Sequence, residues 1–188
     1  MVRLVKPSKQ YFDQIIELKQ DFITNNEPRI QGSGSLDKYD DLNEWLKSIN
    51  EIEQGLNPKL VPTTYYLILL DNEVVGTISM RHYLTKDLEE FGGHIGYSIR
   101  PTERRKGYNK INLYLGLKVC NKYGINEVFM DADKDNPASW RTIEALGGKC
   151  IREHFDNEIA NCIVKYYIID VNSAIMANKD KYELFIIE

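Results

Sequence analysis

The sequence predicts an α/β chain of the mixed α+β kind, with a central, mostly antiparallel sheet and helices on both faces. Three observations carry this. Apolar residues recur at helical spacing in two N-terminal segments. β-rich runs bounded by turn residues occupy the middle of the chain. A strand–helix–strand succession between residues 94 and 132 demands a locally parallel pair, while the hairpins on either side demand antiparallel neighbours.

The elements follow in order. Over residues 8–22, Phe12, Ile15, Ile16, Lys19 and Phe22 are spaced for an amphipathic helix, with Ser8 placed to cap it. Residues 25–35 are turn-rich through Pro28, Gly32 and Gly34. A second helix fits residues 37–53, striped by Tyr39, Leu42, Trp45, Leu46, Ile49 and Ile52, and Gly55 stops it. Strands are expected over 64–70 and 74–83 with Asp71-Asn72-Glu73 as the turn, a polar excursion over 84–90, and a third strand over 94–100 ended by Pro101. A helix fits 107–123 with Gly124 beyond it, and a short buried strand 128–132. Asn136-Pro137 opens a helix to about residue 146, where Gly147-Gly148 ends it. Strands over 150–155 and 162–169 form a hairpin. From Ser173 onward a helix, a strand (182–187) or both are compatible with the residues. The expected organisation is one domain over 1–170 with an extension, 171–188, packed on it or at a dimer interface.

Composition excludes several classes. Of 188 residues, 43% are hydrophobic and 28% charged, which argues against disorder. The longest apolar or tyrosine run, residues 65–70, is too short to cross a bilayer. The start, MVRLVKPSKQ, has no apolar leader, so the expectation is a cytoplasmic protein with no membrane partner. A net charge of −4 argues against a nucleic-acid partner. Cys120, Cys150 and Cys162 are odd in number, widely spaced and without a CxxC, so no metal site is expected.

The chemistry concentrates in Ser98-Ile99-Arg100-Pro101-Thr102-Glu103-Arg104-Arg105-Lys106-Gly107-Tyr108-Asn109. A strand ends, a basic loop follows and a helix opens at a glycine. The first turn of a helix leaves its N–H groups unpaired at the positive end of the helix dipole, where a phosphate accepts several of them together. Gly107 permits close backbone approach, and Arg104, Arg105 and Lys106 add positive charge. A solvated basic loop is the competing reading.

This segment resembles the acyl-CoA loop of the GNAT superfamily of N-acetyltransferases, Arg/Gln-x-x-Gly-x-Gly/Ala, at Arg104, Gly107 and Asn109; the family's small residue is replaced by Asn at the last position. The run GGHIGYSIRPTERRKGYNK, followed by DADKDNPASWRTIEALGG, extends the resemblance over about residues 64–170. It implies the GNAT acyl-CoA N-acyltransferase fold and acetyl-CoA as cosubstrate. It further implies a pantetheine arm lying between two diverging strands, 94–100 and 128–132, and held by backbone at Ser98, Ile99 and Arg100. Arg104 to Asn109 would hold the diphosphate. Asn136 matches the asparagine that contacts the arm, with Ser139 one turn on facing the cofactor.

The implied reaction is direct attack of an amine on the thioester, which needs a general base. His94, with an ordinary pKa of about 6.5, is the candidate, or else a structural His bonded to neighbouring backbone. The family's proton-donating Tyr falls at Ile143, which cannot donate; Tyr97, Tyr108 and Tyr114 are substitutes, or aromatic core. By strand alternation Arg81 and His82 face opposite sides, so one of them at most lines the acceptor cleft. Asp37, Asp40, Asp41 and Glu44 either attract a cationic amine or form a solvated helix face. A small-molecule amine is the expected acceptor in preference to a protein, with a homodimer as the expected partner state. A non-catalytic acyl-CoA sensor of the same fold and a transferase of another acyl group remain the alternatives.

Overall fold

The computed structural model describes residues 1–27, 29–156 and 161–186; Pro28 of the predicted turn and Ile187 of the predicted terminal strand lie outside the described residues. The elements are β1 (Val2–Val5), α1 (Phe12–Thr24), α2 (Leu42–Glu53), β2 (Thr63–Leu70), β3 (Glu73–Arg81), α3 (Lys86–Glu90) and β4 (Ile95–Ile99). They continue with α4 (Tyr108–Lys122), β5 (Glu127–Asp133), α5 (Pro137–Ala145), β6 (Lys149–Asp156), β7 (Cys162–Asp170) and α6 (Val171–Tyr182).

The strands form two sheets, ordered β1-β2-β3-β4 and β5-β7-β6. Every ladder is antiparallel. The predicted parallel pair, β4 and β5, is joined by the crossover helix α4 as expected, yet it builds no ladder. The central sheet is broken there.

The first sheet is buried on both faces, and β2 shows why its sequence reads as a nearly continuous apolar run. Leu67 and Leu69 join Ile15, Leu18, Phe22, Trp45 and Ile49 in a core under α1 and α2. Ile68, pointing the other way, joins Ile78, Ile95, Leu113, Leu117, Met130 and Tyr167 in a second core that spans both sheets through α4. That second core is what holds the two sheets in one body.

Four local expectations change. The first helix begins as a 3-10 turn over Lys9–Tyr11, and Ser8 makes no side-chain cap. The second helix starts at Leu42, capped by Asp41 accepting from the Asn43 N–H at 2.7 Å, so Asp41 is a cap and not a cleft residue. The polar excursion contains α3, capped by Thr85. β1 was hidden by its shortness. At the C-terminus the helix prevails: α6 packs on α4, with the Tyr114 and Tyr182 rings 5.5 Å apart and Lys118 2.9 Å from Glu183. Of the predicted strand, a single bridge from Ile186 to Val2 forms. Cys120 is buried, Cys150 exposed and Cys162 half-buried, all as free thiols.

The loop before α2 is pressed onto β4. Gln31 C=O accepts from the Thr77 and Ser98 hydroxyls, each at 2.9 Å. Gly32 has a φ of +71°, and a Cβ there would lie 2.3 Å from the Gly96 carbonyl oxygen. Gly32→Ala therefore combines a left-handed penalty with a backbone collision and is expected to cost about 2 kcal/mol or more. Thermal unfolding should fall by about 5 °C; an unchanged midpoint would show that the loop does not dock on β4.

Candidate active site

The site is the gap between the two sheets. β4 and β5 touch at one point. His94 donates its backbone N–H to Phe129 O at 2.7 Å, and Phe129 N–H returns a bond to His94 Nδ1 at 3.1 Å. On the other side of β4 the ladder to β3 is bracketed by Arg81 N–H to His94 O and Arg100 N–H to Val75 O, both 2.8 Å. Antiparallel pairing alternates inward and outward along a strand. With the register Gly76↔Ile99 to Met80↔Ile95, Gly96 and Ser98 spend their backbone groups on β3, while those of Ile95, Tyr97 and Ile99 point into the gap. This corrects the expected backbone contacts at Ser98 and Arg100. Ile99 retains a gap-facing N–H, its carbonyl being taken by Arg104 Nε at 3.0 Å. The Ser98 hydroxyl is held by the Gln31 carbonyl and lies 3.0 Å from the Thr77 hydroxyl.

The mouth of the gap is the loop into α4. Among the described residues no acceptor lies within hydrogen-bond distance of the N–H groups of Arg105, Lys106, Gly107, Tyr108 or Asn109. Arg105 (φ +64°) and Gly107 (φ +88°) take left-handed backbone, and a Cβ built on Gly107 meets nothing within 4 Å. The turn is open on that side.

Two of the three predicted cations do not face it. Arg104 forms a two-pronged pair with Glu27 (2.6 and 2.7 Å) and lies over the Phe22 ring. Lys106 binds both carboxylate oxygens of Glu103 at 2.9 Å. Arg100 is likewise committed, its Nε 3.0 Å from Asp21, whose carboxylate also accepts from the Thr102 hydroxyl at 2.6 Å. Burial pushes the Asp21 pKa up, but these bonds outweigh it and hold the carboxyl below its usual range. Of the basic residues in this loop, Arg105 alone is exposed with no ion pair among the described residues. Attraction of an anion thus rests on five amides and the helix dipole, roughly half a unit charge, and less on side-chain charge than the sequence suggests.

The wall opposite the mouth joins β4 to α5. Asn136 caps α5 by accepting from Ser139 N–H at 3.2 Å. The Tyr97 hydroxyl reaches across to Ser139, 3.1 Å from Oγ and 3.3 Å from its carbonyl oxygen. Burial pushes the Tyr97 pKa up to about 12, with Ser139 and Asn109 pulling the other way, so Tyr97 is a neutral phenol that can donate a proton. Asn109 Oδ1 is buried and has no hydrogen-bond partner. A buried acceptor left unpaired costs about 1–3 kcal/mol, so something with a donor belongs beside it. Ile143 is fully buried in the core. Tyr108 packs against the same core, and Tyr114 bonds Glu183 at 3.0 Å, which removes Tyr114 as a donor to the gap.

His94 is the structural alternative. It is buried, its Nδ1 already accepts from an amide, and its pKa is lowered to about 4 by burial first and by the Arg81 guanidinium second. To act as a base it would have to break its bond to Phe129, so the catalytic assignment is corrected: His94 clamps the two strands together. Asp131, which sequence reasoning passed over, lies two residues beyond Phe129. Val128, Met130 and Ala132 face the core, so Asp131 faces the opposite side, where its carboxylate accepts from Gly92 N–H at 2.8 Å. Burial raises its pKa, and Gly92 and Arg81 partly offset that. A charged residue alternating with three buried apolar ones in a short strand was the available signal. Arg81 points to this side, bonding the Gly92 and Gly93 carbonyls at 2.9 and 2.5 Å, whereas His82 bonds Thr64 at 2.8 Å on the other.

These features fit an extended ligand with a diphosphate at one end. The amides of 105–109 suit the phosphates, the free edge of β4 suits amide groups along an arm, and the orphaned Asn109 oxygen suits an N–H donor. No group of His, Cys, Asp and Glu among the described residues is arranged to hold a metal ion.

Comparison with known proteins agrees. Residues 2–149 match the family model of the acetyltransferase (GNAT) domain. No curated protein matches the chain in sequence. Among solved structures, RimL, a ribosomal L7/L12 α-N-protein acetyltransferase in complex with coenzyme A, superposes with a TM-score of 0.68 at 15% identity, covering 92% of this chain and 95% of RimL. The ribosomal-protein-S5-alanine acetyltransferase from Vibrio fischeri gives 0.67 at 16% identity, covering 91% and 92%. A spermidine N-acetyltransferase chimera from Vibrio cholerae and hSSAT gives 0.64 at 12% identity, covering 93% and 98%.

The clamp makes a pH prediction. With its folded pKa depressed to about 4, His94 contributes stability that is complete above about pH 6.5 and is lost as pH falls towards 4. Urea unfolding at pH 7 and pH 4.5 should show wild type losing about 2 kcal/mol more than His94→Asn, which keeps an acceptor for Phe129 N–H but does not titrate. Equal losses would remove the buried, neutral clamp.

Proposed function

The chain belongs to the GNAT acetyltransferase family, and we propose from this premise that it transfers the acetyl group of acetyl-CoA to a primary amine of a small molecule, by direct attack in a ternary complex. The observation that supports this best is the unpaired edge of β4, opening from one clamp towards a mouth of five free amides.

Each part of the chain has a task in this reading. The N–H groups of Arg105 to Asn109 hold the diphosphate, helped by Arg105. The gap-facing groups of Ile95, Tyr97 and Ile99 hold the arm as an added strand would be held. One of those N–H groups also stabilises the negative charge that grows on the thioester oxygen. Asn109 accepts a hydrogen bond from an amide of the arm. Asp131 takes the proton of the attacking ammonium, directly or through one water; its raised pKa suits a base better than an ordinary carboxylate. The amine nitrogen bonds to the carbonyl carbon and becomes positively charged; as the carbon–sulfur bond breaks, the departing thiolate takes the Tyr97 proton and the resulting phenolate recovers a proton from that nitrogen, leaving the neutral amide. Tyr97 replaces a donor that Ile143 cannot be.

The fold relatives act, by their names, on ribosomal proteins and on spermidine, so the fold by itself selects no acceptor. A small amine is favoured by the cavity next to the clamp, about 270 Å³, which is below the range of drug-sized pockets and unsuited to a protein surface. The buried Ile143 favours a second reading, a non-catalytic acyl-CoA sensor. Among the described residues no helix is long and apolar enough to cross a membrane.

Acetyl-CoA at 100 times its Kd should stabilise the protein by about 2.7 kcal/mol in thermal-shift measurements; no shift at saturation ends the proposal. Asp131→Asn should lower kcat for acetyl transfer by about 100-fold while leaving that shift intact. In wild type, kcat/KM should rise with pH along a limb lying above the ordinary carboxylate range and absent from Asp131→Asn. Binding of acetyl-CoA without transfer to any amine in a broad panel would establish the sensor.

A further inference from the structure

α4 carries a polar feature that neither the core nor the gap uses. Asn112 is 0% exposed, and neither its Nδ2 nor its Oδ1 has a hydrogen-bond partner. Asn109 lies one turn earlier on the same helix face, and its Oδ1 is buried and unpaired as well. Two acceptors and one donor group thus stand side by side without partners.

The rest of the helix fixes where they point. Gly116, one turn after Asn112, is pressed against the first sheet: a Cβ there would lie 2.6 Å from Ile78 Cδ1 on β3 and 3.7 Å from Ile95 Cδ1 on β4. Residues four apart share a helix face, so Asn112 also meets the sheet. Helical side chains lean towards the N-terminus, which tilts the Asn112 carboxamide towards Asn109 and the mouth of the gap. Tyr97 stands on the same face of β4 as Ile95 and Ile99, which pack in the core beneath α4. Asn109 acts on the Tyr97 hydroxyl and pulls its pKa down against the rise that burial imposes. Tyr97, Asn109 and Asn112 form a polar line through an apolar interior.

A buried carboxamide without partners is unfavourable, and a leucine, with the same branched outline, would carry no such cost. The two asparagines call for a partner that donates, accepts and fits a site closed to solvent. Water does all of these, and a buried water typically makes about three hydrogen bonds to otherwise unsatisfied polar groups.

We propose that Asn112 and Asn109 hold internal water between α4 and β4, and that Asn112, through this water, is a positioning residue for Tyr97. Water accepts from Asn112 Nδ2 and donates to the two Oδ1 atoms. Asn109 is thereby kept with its Nδ2 towards the Tyr97 hydroxyl. A carbonyl oxygen has two lone pairs, so Asn109 Oδ1 can serve the arm of the cosubstrate as well. The value of this arrangement for proton donation rests on the acetyltransferase reading given above; the water site does not.

The test is diffraction and NMR on the full chain without ligand. A high-resolution crystal structure should show a water peak within hydrogen-bond distance of Asn112 Nδ2 and of Asn109 Oδ1. An empty site, or a carboxamide turned onto another protein atom, would overturn the water site. In protein labelled with tyrosine carrying carbon-13 at Cζ, the Tyr97 signal is assigned by its loss in Tyr97→Phe. It should shift in Asn112→Leu and return towards its wild-type position in Asn112→Ser, which keeps a donor and an acceptor. A signal unmoved by Asn112→Leu, or moved equally by Asn112→Ser, would overturn the positioning role. The wild-type crystal structure decides the water site even where a variant does not fold. Stabilisation by acetyl-CoA is measured on the same wild-type protein; its absence would overturn the transferase reading and leave the water site standing.

Discussion

Everything in this molecule is arranged around one contact, the two hydrogen bonds between His94 and Phe129, one between their backbones and one from the Phe129 N–H to the His94 ring. Two extended strands side by side ordinarily zip together, because each unpaired N–H and C=O would otherwise face a desolvation cost. Here they are joined at one end and left apart along the rest. Three observations explain why the gap persists. The core beneath both sheets is continuous through α4, so the spacing of the sheets is fixed by packed side chains rather than by a ladder. The Ile99 carbonyl, which a neighbouring strand would have used, is already satisfied by Arg104. Tyr97 bridges to Ser139 on α5 and sets the separation between β4 and the second sheet.

The N-terminal helix contributes to this arrangement more than its distance in sequence suggests. Asp21 receives bonds from Arg100 and Thr102, and Glu27 pairs with Arg104, so both ends of the loop before α4 are tied to α1. The two ties differ in strength. Glu27 and Arg104 are each more than a third exposed, and pairs of that kind contribute about 1 kcal/mol or less. Asp21 is nearly buried and accepts from Arg100, Thr102 and Asn25 at once; removing one partner of such a cluster typically costs about 3–5 kcal/mol. The shape of the loop therefore depends chiefly on Asp21. The basic residues that made the loop look like a charged lure are largely structural, and the free amides carry the attraction.

Much of this was legible in the sequence, and the missing parts share a physical cause. The fold class, the helix opening at Gly107 and the Asn136 cap follow from local rules, because spacing and capping depend on residues a few positions apart. The break between β4 and β5 followed from the family resemblance alone. Which residues of β4 face the gap did not follow. That depends on register with β3, and a shift of one residue exchanges Ser98 for Tyr97. The partners of Arg100 and Arg104 lie some 79 and 77 positions away, beyond the reach of any pattern in the loop. His94 looked like a base because its chemistry allows it; its burial and its bond to Phe129 are properties of the folded chain.

The proposed proton donor illustrates how a group missing at one position can be supplied from another within the same fold. At Ile143 a hydroxyl would have to approach the gap from α5. The chain places a fully buried aliphatic residue there, which serves the core. Tyr97 approaches from the strand instead, and it ends at Ser139, on the same helix one turn before Ile143. Its burial keeps the phenol protonated, with a pKa of about 12, well above that of an ordinary free thiol at about 8.5. Proton transfer from that phenol to a free thiolate is uphill by roughly 3–4 pKa units, about 5 kcal/mol, so it has to be coupled to loss of the leaving group and to return of a proton from the acylated nitrogen. The Tyr97–Ser139 pair thus does more than hold two elements at a fixed distance: with Asn109, Ser139 partly offsets the rise that burial imposes on the Tyr97 pKa and leaves the phenol a stronger acid than burial alone would.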